Sequence, residues 1–119
     1  LWAVEPFPRL VRVLEGVEAQ ASFEGRTAQF SVAGNTVTLQ QLLAVQASGG
    51  GAVPVSDPQA DEGVTRLAKQ GLWVELCAGA TVGALSALIA RGQIRPDEHA
   101  LLMLTARGDR DPFDPASLS

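Results

Sequence analysis

Short, continuous runs of apolar residues most strongly constrain how this chain can fold. They occupy residues 1–4, 52–55, 72–76 and 100–104, with Glu75 as the only charged residue inside them. Strands buried on both faces have this continuous pattern, whereas strands with one face in water alternate apolar and polar residues. Segments with helical periodicity lie between the runs. The sequence therefore predicts an α/β fold, with a mostly parallel sheet in three layers and helices on its flanks.

Four helices are predicted between these strands, over residues 8–14, 39–47, 58–70 and 81–90. Glycines at or just beyond the last periodic residue end all four, as at helix C-termini in general. Thr36 or Thr38 can cap the second helix, and Asp57 can cap the third, with proline at its first position. Residues 17–35 are polar and irregular, and they are predicted to form a loop with at most a short helix.

Composition limits the class of protein. The chain has 119 residues, 46% of them hydrophobic and 18% charged, which fits one folded domain and argues against disorder. We assign residues 1–111 to the α/β domain and residues 112–119 to a tail. A net charge of −4 without a basic stripe argues against nucleic acid as a partner. No apolar run approaches the roughly 20 residues of a membrane span. Cys77 is the only cysteine, which fits a reducing, cytoplasmic location.

Few residues offer independent chemistry. His99 is the only histidine, so no ligand set for a metal cluster is evident. Cys77 is interpreted as a small buried residue. The glycine run 49–51 follows a predicted helix, which is typical of a helix stop rather than a phosphate loop. Residues 78–80 (A-G-A) follow a predicted strand and open a predicted helix, so they either bind an anion or allow close packing.

Thr105 ends the most apolar predicted strand. Ligands of open parallel sheets bind outside the carboxyl ends of the strands. A hydroxyl at that edge can form a hydrogen bond with a heteroaromatic nitrogen without carrying charge. The alternative is a threonine that bonds to its own backbone, and the residues alone leave both interpretations open.

Several motifs occur in an order that resembles one enzyme family. Residues 71–80 (G-L-W-V-E-L-C-A-G-A) and 104–111 (L-T-A-R-G-D-R-D) are similar to two of its patterns. Upstream landmarks are G-N at 34–35, S-G-G at 48–50 and V-S-D at 55–57. Together they cover nearly the whole chain. They resemble the C-terminal part of the large domain of fold-type II pyridoxal-phosphate (PLP) enzymes, the tryptophan synthase β-like superfamily, and most of all the threonine synthases.

The resemblance implies PLP as cofactor in the full-length protein. It makes Thr105 the hydroxyl partner of the pyridine nitrogen, Glu75 a buried carboxylate that orients the loop around the ring, and Ala106 a neighbour of the cofactor. The family's cofactor-binding lysine and phosphate loop belong to its N-terminal part, and Lys69 does not match that lysine. We therefore expect no catalytic residue in this segment, and no activity from the segment alone.

The implied activity is that of a lyase that eliminates or replaces groups on an amino-acid substrate, converting O-phosphohomoserine and water to threonine and phosphate. A homodimer is expected for the full-length enzyme. The alternatives are a serine or threonine dehydratase, a tryptophan synthase β-type enzyme, and a stand-alone, non-catalytic α/β module. The chain departs from the family at Thr36 and Leu76, where the family has proline, and at Ala106, where it has glycine.

Overall fold

A computed structural model of the chain describes residues 1–111, and the predicted tail at 112–119 lies outside them. Strands β1 (Trp2–Glu5) and β2 (Gly51–Pro54) form a parallel pair. The α-helices are α1 (Leu10–Leu14), α2 (Leu39–Ser48), α3 (Asp57–Ala68) and α4 (Leu76–Ala90). The predicted α/β class with parallel strands is confirmed in this small domain. Within the described range, no helix is long and apolar enough to cross a membrane.

The predicted ends of α2 are confirmed. Thr38 is its cap: the Gln41 amide donates to Thr38 Oγ1 at 3.2 Å, and the Thr38 amide donates to Gln41 Oε1 at 3.1 Å. Gly49 follows the helix with a φ of 67°, a left-handed conformation that favours glycine. The glycine run at 49–51 is thus a helix stop, as predicted. For α3 the predicted cap is wrong by one residue, because Ser56 precedes the helix and Asp57 is its first residue.

The predicted strand at 72–76 is wrong. Val74 forms only an isolated antiparallel bridge with Arg107, and Leu76 is already the first residue of α4. The helix begins five residues before the predicted Thr81 because the small residues that follow Leu76 pack against α3. A short apolar run does not by itself distinguish a strand from a buried helix segment.

The predicted strand at 100–104 is also wrong. Residues 99–105 have no regular secondary structure and make no hydrogen bond to any residue between 1 and 111. Leu101 is 88% exposed and Met103 is 65% exposed. A strand needs a neighbour for its backbone hydrogen bonds, and this run forms none with β1 or β2, which pair with each other.

Helices α3 and α4 pack at backbone distance through two glycines. A Cβ at Gly63 would lie 2.0 Å from the carbonyl oxygen of Gly79, and one at Gly79 would lie 2.5 Å from the carbonyl oxygen of Ala60. Residues 78–80 therefore lie inside a helix and are buried. Of the two interpretations of this segment, close packing is correct and the anion site is wrong. Below these helices the core is formed by small and branched residues: Val53, Val55, Ala60, Ala80, Ala84 and Leu88.

The long loop at 17–35 is anchored to the start of α3 by Asp57. Its carboxylate accepts hydrogen bonds from Thr27 Oγ1 at 2.5 Å, the Ala28 amide at 2.8 Å and Gln29 Nε2 at 3.0 Å. Gln29 is fully buried and also donates to the Val55 carbonyl at 2.9 Å. Burial alone would raise the pKa of Asp57, but these hydrogen bonds favour the charged form and together lower that pKa below its usual value.

A lowered pKa makes the Asp57 contribution to stability depend on pH. The contribution is fully present above the unfolded-state pKa of about 3.9 and is lost as pH falls through the lower folded value. We expect Asp57→Asn to reduce the free energy of unfolding by about 1–2 kcal/mol near neutral pH, and the difference from the parent to disappear in acid. Urea unfolding at several pH values measures this. Asp61→Asn, an exposed position on α3, is the control, and an Asp57→Asn difference that is constant with pH would contradict the assignment.

Candidate functional site

An open cavity of about 580 Å³ lies between β1, α4 and residues 98–105. Its volume is within the roughly 300–1,000 Å³ of small-molecule sites. Apolar side chains of β1 and α4 form most of one wall, including Trp2, Val4 and Leu88. Thr105, the predicted partner of the cofactor ring, lies on the opposite wall. The cavity thus contains the principal site residue predicted from the sequence.

The start of α4 brings together residues that are far apart in sequence. The Glu75 amide donates to the Ala106 carbonyl at 3.1 Å, and the Gly108 amide donates to the Trp73 carbonyl at 3.2 Å. The predicted site residues Glu75, Thr105 and Ala106 are consequently neighbours. We call residues 105–111 the clip, because they lie across the first residues of this helix.

Asp111 adds a third hydrogen bond, which joins the clip to the first residue of α4. The Leu76 amide donates to Asp111 Oδ2 at 2.7 Å. A proline at position 76, as in the family pattern, has no N–H and could not form this bond. This pairing was not predicted. The only hint in the sequence is that position 76 has leucine, which carries an N–H donor, where the family has proline.

Glu75 is buried, at 8% exposure, and its carboxylate does not cap its own helix. Ser31, from the loop before α2, donates to Glu75 Oε2 at 3.4 Å and lies 3.1 Å from Cys77 Sγ. No sequence pattern pointed to Ser31, which lies in a short 3-10 helix (Phe30–Val32). The predicted buried position of the Glu75 carboxylate is confirmed by this geometry, while its role remains a prediction.

Thr105 is exposed and lines the cavity. Its hydroxyl makes no hydrogen bond to any residue from 1 to 111, its own backbone included. Ala106 has negative φ, since no residue in that range other than glycine has positive φ. The methyl group at a position where the family has glycine is therefore compatible with the backbone without strain.

Three further residues were considered in the sequence. Cys77 is half-buried rather than buried, and it lines the cavity together with the exposed His99. Lys69 is exposed, directly follows α3 and does not line the cavity. Among the described residues, no three His, Cys, Asp or Glu side chains are grouped so that they could hold a metal ion.

Comparison of the sequence with known proteins gives no family assignment. No protein-family model matches the chain, and no curated protein matches it.

Proposed function

We propose that this chain is the C-terminal part of a PLP-dependent lyase of fold type II, most like threonine synthase. The full-length enzyme would convert O-phosphohomoserine and water to threonine and phosphate. One observation carries the proposal: the two segments that resemble the family meet at one cavity. Glu75 from the first segment is hydrogen-bonded to Ala106 from the second, and Thr105 lies beside them on the cavity wall.

The residues present fit the ring of the cofactor. A planar heteroaromatic ring needs apolar walls and one polar partner, and the cavity offers Trp2, Val4 and Leu88 together with the hydroxyl of Thr105. PLP, when bound, supplies an electron sink for the substrate. A neutral hydroxyl partner leaves the pyridine nitrogen unprotonated, which makes that sink milder than a carboxylate partner would. The Glu75 backbone amide, which donates to the Ala106 carbonyl, would hold the residue next to Thr105 in place.

The remaining parts of the proposed enzyme would come from its N-terminal portion. These parts are the lysine that binds the cofactor covalently and the glycine-rich loop that binds its phosphate. We further propose that the full-length protein completes a three-layer α/β domain, with helices on both faces of a mostly parallel sheet. It would act as a homodimer in the cytoplasm. The sequence also leaves open a non-catalytic module. If the protein is such a module, we expect it to bind no cofactor.

Thr105→Val in the full-length protein tests the proposed site. Valine keeps the shape of threonine and removes the hydroxyl that would pair with the ring nitrogen. We expect PLP to bind less tightly by about 0.5–1.5 kcal/mol, or by about 1–3 kcal/mol if the nitrogen is left buried without a partner. Fold stability should change little, because this hydroxyl makes no hydrogen bond to the residues between 1 and 111. A PLP titration followed by absorbance measures the affinity.

Two further variants sharpen this test. Thr105→Asp is expected to favour a protonated ring nitrogen, which shifts the absorbance of the bound cofactor and the balance of side reactions. Cys77→Ser is the control, since its thiol lines the same cavity but is assigned no role toward the ring. If Thr105→Val leaves affinity, spectrum and turnover unchanged while Cys77→Ser abolishes them, the site is centred on the thiol instead.

A further inference from the structure

The clip has little else to hold it in place. On its N-terminal side, residues 99–105 make no hydrogen bond to any residue between 1 and 111. In the middle of the clip, Gly108 packs against the indole of Trp73, and a Cβ at Gly108 would lie 2.0 Å from Trp73 Nε1. The clip is also joined to the start of α4 by the two backbone hydrogen bonds on either side of the Val74–Arg107 bridge and by the Asp111 carboxylate. The position of Thr105 therefore depends on the few bonds that follow it in the chain.

The Asp111 bond differs from the others in its electrostatics. The first N–H groups of an α-helix have no partner within the helix, and the dipole makes that end positive. Glu75, the residue in the cap position of α4, makes no side-chain cap bond. The Leu76 amide is instead satisfied by a carboxylate 35 positions later in the sequence. A charge-assisted bond of this kind is stronger than the two backbone bonds beside it.

We propose that Asp111 is a positioning residue: its carboxylate fixes the clip to the start of α4 and so holds the Thr105 hydroxyl at the cavity. The inference rests on the proposed function, because it assigns Asp111 a role through Thr105. Asp111 does not line the cavity itself. Loss of the bond releases the C-terminal anchor of a segment whose N-terminal side makes no hydrogen bond to residues 1–111.

Amide hydrogen exchange on the full-length protein tests the bond directly, with PLP affinity measured in parallel. Asp111→Ala removes the acceptor, and we expect exchange at Leu76 and Glu75 to become about tenfold faster, as the loss of a charge-assisted bond implies. PLP affinity should fall several-fold. Asp111→Asn keeps an oxygen acceptor and is expected to restore much of both. Asp109→Ala is the matched control, because Asp109 is exposed in the same clip and pairs only with exposed Arg107.

Leu76→Pro removes the donor instead of the acceptor. The backbone accepts this change, since Glu75 has φ −68° and ψ 163°, the extended conformation that residues before proline adopt, and proline is favoured in the first position of a helix. If the effects of Asp111→Ala arise from this hydrogen bond, Asp111→Ala will change neither Glu75 exchange nor PLP affinity any further in a Leu76→Pro background.

The outcomes separate this inference from the proposed function. Unchanged exchange in Asp111→Ala overturns the inference whatever the cofactor does. A second result also overturns the inference: Asp111→Ala speeds exchange but leaves PLP affinity unchanged, while Thr105→Val weakens PLP binding. Asp111 would then fix the clip without positioning Thr105. A parent protein that binds no PLP overturns the proposed function, and the exchange arm still reports whether Asp111 holds the clip.

Discussion

Gly63→Ala is expected to destabilise the fold by about 2–3 kcal/mol, the range of overpacked cores. The new Cβ would lie 2.0 Å from the Gly79 carbonyl and 3.2 Å from Val82 Cβ, so α3 and α4 must move apart. Both helices contribute residues to the core cluster around Val53 and Val55. Separation of the two helices therefore loosens the main core rather than a surface contact. Chemical denaturation measures the free energy of unfolding.

The sign of this effect makes the test decisive. Alanine has the higher helix propensity, so Gly→Ala inside an exposed helix stabilises by up to about 1 kcal/mol. A stabilising Gly63→Ala would show that the two helices are not in backbone contact. Gly16→Ala is the control for conformational strain alone, because Gly16 has a φ of 110° and open space around it. Its expected cost is about 1 kcal/mol, without any effect on the contact between α3 and α4.

The isolated 119-residue chain is expected to associate as its concentration rises. Residues 99–105 present apolar side chains and backbone groups that have no partner between residues 1 and 111, with Leu101 at 88% exposure. The outer edge of β1 is also unpaired in the two-stranded sheet. Unpaired strand edges beside apolar surface are templates for pairing between chains. Sedimentation velocity should give an average mass well above the 12.4 kDa of the monomer.

A double variant identifies the surface responsible. Leu101→Lys with Met103→Lys places charges on the exposed segment and is expected to lower the average mass toward that of the monomer. Lysine at exposed Leu43 on α2 is the control, since that residue does not line the cavity. A parent chain that stays a compact monomer at every concentration would contradict the proposed incomplete domain, and it would favour the stand-alone module.

Local signals in the sequence predicted some elements well. Helix α2 was predictable because Thr38, Gln41 and Gly49 satisfy its ends with their own side chains or conformations. Strands β1 and β2 were predictable because each short apolar run has the other as a partner. The information that determines α2 lies within the helix and its immediate neighbours, whereas each strand also needs a partner that lies far away in the sequence.

The errors have the opposite origin. The apolar run at 100–104 has the composition of a strand but forms no backbone hydrogen bonds with β1 or β2, and such pairing depends on residues far away in the sequence. The start of α4 was predicted at Thr81 instead of Leu76, because the small size of Gly79 is explained only by its contact with α3. The position at the end of the apolar run pointed to Thr105, and the family resemblance gave Thr105 and Glu75 their roles. Asp111 and Ser31 were not, because their partners Leu76 and Glu75 lie far away in the sequence.

We propose that the cofactor-binding lysine of the full-length PLP enzyme lies outside residues 1–119. Borohydride reduction of the full-length protein incubated with PLP, followed by peptide mass spectrometry, locates that lysine. We expect one stoichiometrically labelled lysine outside this segment, with Lys69 unlabelled. Absence of a labelled lysine, or labelling at Lys69, would show that the proposed function is wrong.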